Sequence, residues 1–448
     1  MMISYTQFAE MLQDLFGDFF IDSLEKFDFF QRNRKMIAKD WFLTLLEWST
    51  QDNPTLSSLS NLFASYGIDI SPQALSKKFN MKCVHFLLEI INRIIENLIM
   101  ESNAKAPALL SLFSGVYLAD CTLCQLSQET KDLFPGVGGN DENINVSELK
   151  VFLRIEATTG VIESFSLGSG RTSDHTFYSK TKQLPCNSLE LADMGFGSQK
   201  RMLDNLKNNV DFICRVQSQS ILYYDKQKYS ISEFLNQQVG DEVDVLILFG
   251  ANRVPCRLTA RKVSEEVAKR KLEQVTRKAK KSGRKVSQAQ QIVSHWQFYI
   301  TSIDSGRCLL DEIVTLYSVR WQIELIFKFW KSHMNLNKSK GKTTARVLCE
   351  KLLKIIYILI YHGHEILADI GPVSDVSHVA VHDRYKSTFH KLLDALRKGY
   401  STSTISKRIK ESVCFMRETR PRNKRVNKPN LHDKLQNRQT NQAIITSS

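Results

Sequence analysis

The chain has 448 residues, 42% hydrophobic and 24% charged, with a formal net charge of +14 and a pI near 9.2. That length accommodates two or three domains, and no stretch reaches the roughly 18 apolar residues of a membrane span. The nine cysteines are scattered and odd in number, which excludes a disulfide framework, while the excess positive charge calls for a polyanionic partner, nucleic acid or an acidic membrane surface. The N-terminus lacks a signal-peptide pattern, so a cytoplasmic protein is expected.

Residues 1–105 read as a helical domain. Segments 5–16, 39–48, 57–66 and 82–100 carry apolar residues at helical spacing. Within them, Leu59, Leu62 and Phe63 share one face, Gly67 breaks the helix, and Ser71 and Pro72 start the next. That second helix points Gln73, Ser76, Lys77 and Lys78 outward and Ala74, Leu75 and Phe79 inward. Residues 59–80 therefore form a candidate helix-turn-helix, with a generic helical hairpin as the equal alternative.

From residue 114 the texture changes. Gly115–Asp120 is a short apolar run ending in an aspartate. Residues 150–156 and 161–167 alternate around a turn at Thr159 and Gly160, as a hairpin. Leu189–Asp193 is another strand ending in an aspartate. Gly195 and Gly197 then mark a turn before a helix over 199–208 and a strand over 210–216. This order predicts a mixed α/β sheet with a site at strand ends.

Residues 219–303 read as a β-rich insertion with strands at 243–249 and 254–259. It also holds a basic run, 261–285, of eleven Lys/Arg against three Glu, including Arg270, Lys271, Lys280 and Lys281. A strand over 296–300 leads into a helix beginning near Asp311. Helices are expected over 344–369 and 384–411. The tail, 416–448, is basic and has the composition of a disordered segment.

The stretch YSVRWQIELIFKFWK, residues 317–331, has two faces as a helix. Val319, Ile323, Ile326, Phe327 and Trp330 form an apolar stripe, while Tyr317, Arg320, Glu324 and Lys331 fall within about 60° of one another on a second. Asp120, Asp193 and Glu324 would repel one another if they converged, unless a cation neutralised them, and Mg²⁺ is the hard cation suited to a few carboxylates. Two such ions could serve an in-line displacement at phosphorus. A lone CxxC, Cys121 and Cys124, has no second pair at zinc spacing. Asp174 and His175 read as loop polarity, and His362, His364 and Glu365 as residues of a core helix.

The spacing Tyr317, Arg320, Glu324, Lys331 resembles the YREK signature of bacterial insertion-sequence transposases of the DDE class, the insertion-sequence-four-like family. Asp120-Cys121-Thr122 and Asp193-Met194-Gly195-Phe196 resemble its two aspartate motifs, with Cys121 standing where a serine-like residue is commoner. The resemblance covers about 110–370 and implies an RNase H-like catalytic core, with 371–415 as C-terminal helices. It implies metal binding and catalysis by Asp120, Asp193 and Glu324 with two Mg²⁺ ions, Mn²⁺ substituting. It assigns DNA phosphates to Tyr317, Arg320 and Lys331. Trp296 would stack on a flipped base, or else simply pack in the core. Lys77, Lys78 and the basic run would contact DNA.

The activity implied is cut-and-paste transposition through a hairpin intermediate. The implied partners are the element's terminal inverted repeats and target DNA, held by a homodimer near the nucleoid, with no membrane. The alternatives are a catalytically silent DNA-binding derivative and an RNase H-like structure-specific nuclease.

Overall fold

Helix-forming signals at the start of the chain are met by explicit caps. Ser4 and Gln7 form a capping box on α1 (Tyr5–Asp14), which is followed by α2 (Asp18–Lys26) and α3 (Ala38–Ser49). Thr55 caps α4 (Leu56–Ser65), and Gly67, at φ +75°, ends its turn in the left-handed region. Ser71 caps α5 (Pro72–Lys78), with Pro72 in the first turn, and α6 (Met81–Asn97) follows. These features come from a computed structural model that describes residues 4–29, 37–52, 54–97, 105–137, 146–193, 198–281, 283–420 and 431–436.

The central segment runs β1 (Val116–Gln125), β2 (Glu148–Glu156), β3 (Ile162–Ser169), α7 (Asp174–Tyr178), β4 (Leu189–Ala192), α8 (Gln199–Lys207) and β5 (Asp211–Cys214). The insertion contributes β6 (Ile221–Tyr224), β7 (Gln227–Ser230), α9 (Ile231–Asn236), β8 (Glu242–Phe249), β9 (Val254–Lys262), α10 (Glu265–Lys281), α11 (Gln288–Ser294) and β10 (Trp296–Thr301). Then come α12 (Leu310–Ser318), α13 (Trp321–Ser332), α14 (Thr344–Leu367), α15 (His378–Arg397), α16 (Thr402–Arg417) and α17 (Leu431–Gln436).

The chain folds as two compact units. The first comprises Met1–Lys105, Cys121–Phe177 and Gln322–Asn430; the second comprises Ala106–Asp120, Tyr178–Trp321 and Leu431–Ser448. Strand β1 belongs to both. In the first unit the strand order is β3-β2-β1; in the second it is β1-β4-β5-β10-β9-β8-β6-β7. The pairs β1–β4 and β4–β5 are parallel, and β10 joins β5 to the insertion through antiparallel pairing on both sides. The mixed α/β core is therefore present, and the insertion extends the sheet rather than standing apart from it.

The first unit is organised on α14, whose residues from Val347 to Ile366 are all buried. A helix apolar on every side is a core helix, and α3, α6 and α16 pack against it. Its few polar side chains are all partnered or stacked. His362 and His378 bracket Glu365 through Nδ1 at 3.3 and 2.8 Å, and Tyr361 donates to it at 2.7 Å. His364 lies against the rings of Phe8 and Tyr385. The reading of these residues as core rather than metal ligands fits this packing.

Several expectations are corrected. Asp120 is not at a strand end, because β1 continues five residues beyond it to Gln125. The helix expected over 384–411 is two helices, parted where Gly399 takes φ +65°. The helix expected through residues 317–331 is also two. The Thr315 and Ser318 hydroxyls bond carbonyls one turn back, and the Val319 and Arg320 amides turn to acceptors three residues back, so the helix tightens and stops there. Ala74, expected to face inward, is exposed, and the tail contains α17 with Leu435 buried. The turn at Gly195 and Gly197 lies outside the described residues. Of the cysteines, Cys186 and Cys414 are exposed, Cys121 is partly exposed and the rest are buried. Among the described residues no helix is long and apolar enough to cross a membrane.

Acid should weaken the helical unit in two stages. Burial lowers the pKa values of His364 and His382 from 6.5 to about 4. The unfolded chain therefore binds protons there that the folded one does not, and stability falls as pH drops from 6.5 to 4, by up to about 3 kcal/mol per histidine. Burial would raise the Glu365 pKa, but the two flanking histidines win and lower it to about 2. A further loss should follow as pH falls from 4.5 toward 2. Thermal midpoints against pH check this, and His364→Leu should remove part of the first stage. A flat midpoint between pH 6.5 and 4 would contradict it.

Candidate functional site

Parallel pairing of β1 with β4 leads toward the first two acids. The register Val116↔Leu189, Tyr117↔Glu190, Leu118↔Leu191 has a constant offset of 73 residues (189 − 116). The two aspartates have the same separation (193 − 120 = 73). Asp120 lies two residues beyond the last paired residue of β1, and Asp193 directly follows β4, so both acids lie just past the paired stretch of two neighbouring parallel strands.

The cations and phenols of the second unit gather at this point. Arg320 Nη1 lies 3.5 Å from Asp120 Oδ2, with the arginine side chain 9% exposed. Its guanidinium stands 5.7 Å from the centre of the Tyr317 ring, which in turn lies 4.4 Å from that of Tyr299. Burial first, and then the charge of Asp193, push the Tyr317 phenol far above its ordinary pKa against the pull of Arg320 and Arg215. The Cys214 thiol is raised in the same way, by burial and then by Asp193 and Glu190. Asp193 therefore faces a neutral phenol and a neutral thiol.

Asp193 Oδ1 is buried and has no hydrogen-bond partner among the described residues. A buried acceptor without a donor is costly, and a hard cation is the group that relieves it. The donor set at Asp120 and Asp193 fits a divalent metal in that sense. Among the described residues no group of three or more His, Cys, Asp or Glu is arranged to hold a metal ion. Glu324 and Lys331 lie on α13, in the first unit, and are partly exposed. Of the expected apolar stripe, Ile323, Phe327 and Trp330 are buried on α13 and Val319 is buried just before it, whereas Ile326 is only partly buried.

Two residues of this neighbourhood were not anticipated. Arg215 follows β5, just as Asp193 follows β4, and its charge reaches Tyr299, Tyr317 and Lys271. Its position past the C-terminal end of a parallel strand was the available signal. Arg201, from α8, pairs with buried Glu190 of β4 at 3.1 Å and stacks on Tyr178 at 4.6 Å. Asn205 adds a 2.6 Å bond to the same carboxylate. This network anchors α8 to the strand that carries Asp193.

The remaining candidates are dispersed. Trp296 is 4% exposed, with the Lys262 ammonium 5.4 Å from its ring centre, so a base would reach the ring only after Lys262 moved aside. Lys271 turns inward, donating to the Trp296 carbonyl at 3.0 Å, and burial lowers its pKa. Arg270 and Lys280 are exposed on α10, Arg270 with an ion pair to Glu266 at 3.3 Å; the Lys281 side chain lies outside the description. On α5, Lys77 is exposed, whereas Lys78 is half-buried with its pKa lowered by burial. The Asp174 carboxylate is taken by Lys150 at 2.9 Å.

Comparison with known proteins places the chain in a family. The family described as Transposase DDE domain matches residues 113–360. The transposase for insertion sequence element IS231F of Bacillus thuringiensis subsp. israelensis is 25% identical over 378 residues, covering 79% of this chain and 78% of that protein. The transposase for element IS1151 of Clostridium perfringens is 28% identical over 357 residues, 74% of each chain. The transposase for element IS231E of Bacillus thuringiensis subsp. finitimus is 24% identical over 379 residues, 79% of this chain and 78% of that one.

If the adjacent aspartates form a cation site, Mn²⁺ should raise the thermal midpoint of the DNA-free protein. Asp193→Asn should abolish that shift and, by removing one of two like charges, raise the metal-free midpoint slightly. Calorimetry and electron paramagnetic resonance of added Mn²⁺ read this directly. An undiminished Mn²⁺ response in Asp193→Asn would exclude Asp193 as a ligand.

Proposed function

Because the chain belongs to the Transposase DDE domain family, we propose that Asp120, Asp193 and Glu324 together hold the divalent cations of DNA strand cleavage and joining. The protein is an insertion-sequence transposase, a metal-dependent enzyme that cuts and transfers DNA. The observation that supports the site reading is the 73-residue offset of the β1–β4 register, which, if continued two residues past Leu118 and Leu191, would bring Asp120 level with Asp193. Magnesium, in a pair of ions for which manganese can substitute, supplies Lewis-acid activation of the attacking oxygen and charge neutralisation at the leaving one.

The chain's own residues have distinct tasks. Asp120 lies on β1 and Asp193 directly follows β4, its parallel neighbour in the sheet, a precise support for ligands. Glu324 comes from α13, held by its apolar stripe. In the DNA-free protein Arg320 rests its guanidinium against Asp120. Once a cation shares that carboxylate, Arg320 can transfer its fork of donors to a phosphate of the transposon end. Tyr317, kept neutral by burial, offers a hydroxyl donor. Lys331 offers a point charge, and Lys77, Arg270, Lys280 and Lys281 add phosphate contacts farther out.

The reaction we assign is a series of in-line displacements. Water cuts one strand at the element's end, and the freed 3′-hydroxyl attacks the opposite strand to close a hairpin. Water then reopens the hairpin, and the 3′-hydroxyl attacks target DNA. Two ends must be held together, so a dimer on DNA is the working form, acting in the cytoplasm where the DNA lies.

The decisive assay uses labelled DNA carrying the inverted repeats that flank the element, with Mg²⁺ or Mn²⁺. Wild type should give nicked, hairpin and joined products. Glu324→Ala should lower their rate by roughly a thousandfold or more, the kinetic equivalent of several kcal/mol of lost transition-state stabilisation. Binding without any cleavage under either metal would overturn the catalytic reading.

A further inference from the structure

Three charged side chains are buried close together on α14, where nearly every neighbour is apolar. Glu350 is 2% exposed, Lys351 0% and Lys354 2%. Taking such ions out of water costs several kcal/mol each unless they are well bonded, and all three are bonded to one segment. Lys351 Nζ donates to the Leu336 carbonyl at 2.6 Å, and Lys354 Nζ donates to those of Asn335 and Lys338 at 2.9 and 2.6 Å. Glu350 accepts from the amides of Lys340 and Gly341 at 2.7 and 3.1 Å, from the Ser339 hydroxyl at 2.8 Å and from Arg346 at 2.9 Å. Burial lowers both lysine pKa values to about 8, so both remain charged at neutral pH.

The segment held in this way has a defined shape. Asn335 turns the chain at φ +56° just past α13. Gly341 fits tightly, since an added Cβ would lie 2.8 Å from the Val347 nitrogen. Between them burial alternates: Ser339 and Gly341 face inward, whereas Lys338, Lys340 and Lys342 are exposed. Glu129 feels the charge of Lys342. A basic segment of this length has no need of so many buried bonds merely to stay in water; a flexible chain would do that.

We propose that residues 337–342 form a preshaped contact for the phosphate backbone of DNA, carried by Lys338, Lys340 and Lys342, with Glu350 as its positioning residue. The proposal rests on the reading that the protein acts on DNA. Fixing the backbone path of the segment in advance removes the backbone part of the ordering cost that a flexible chain meets on binding. Because phosphates are the target, the contact strengthens binding to any duplex and carries no sequence preference.

The test is the salt dependence of binding to two duplexes, one carrying the flanking inverted repeat and one of random sequence. Changing Lys338, Lys340 and Lys342 together to Gln should flatten the slope of log K against log salt by about two to three on both, since each phosphate contact contributes roughly 0.9. The same three positions changed to Arg should keep the wild-type slope. Glu350→Gln should speed hydrogen exchange at the Lys340 and Gly341 amides and weaken binding to both duplexes. A triple Gln variant with the wild-type slope overturns the proposal, and unchanged affinity in Glu350→Gln overturns the positioning role. Should the wild type bind neither duplex, the DNA reading itself fails and the proposal with it.

Discussion

Two carboxylates, one on β1 and the other directly after its parallel neighbour β4, are the constraint to which the rest of the second unit answers. Like charges about 5 Å apart repel strongly wherever water is scarce. The protein meets this with Arg320 against Asp120 and with neutral groups, a phenol and a thiol, around Asp193. The strands must also be stiff, or the charges would spread. Parallel pairing of β1, β4 and β5, the β10 seam and the Glu190–Arg201–Asn205 network supply that stiffness.

The first unit solves a different problem. It must hold one helix, α13, and the loop behind it in a fixed attitude. An apolar stripe seats the helix, while buried ions on α14 fix the loop. Apolar packing sets where an element lies, but it does not specify the path of an irregular segment. Directed hydrogen bonds from charged groups do, at a considerable desolvation cost.

Much of this was legible in the residues. The strand pattern around Asp120 and Asp193, the hairpin at Thr159 and Gly160 and the caps at Ser71 and Pro72 rest on local chemistry, and local chemistry is written in sequence. The two-faced pattern of residues 317–331 identified four of the five stripe residues as buried, Ile326 being the exception, yet it concealed the break before Trp321. That break depends on hydroxyl-to-carbonyl bonds whose choice over solvent is not a matter of periodicity. Lys351 and Lys354 were invisible for a related reason. In sequence, two lysines in an apolar run read as exposed tips, and only the carbonyls of a loop up to nineteen residues away in the chain reveal them as buried. Trp296 looked available because a strand aromatic can face either way, and only the fold shows it to be buried.

The distribution of thiols has a practical consequence. Burial raises the pKa values of Cys83, Cys124, Cys214 and Cys256, which makes those sulfurs poor nucleophiles. Cys186 and Cys414 are the exposed ones, the first in the second unit and the other in the first. The unaltered chain thus carries one fully exposed attachment point for a fluorophore or spin label in each unit, with Cys121 partly exposed besides. Labels there, followed as DNA and metal are added, would report on the local surroundings of each position without any engineered cysteine.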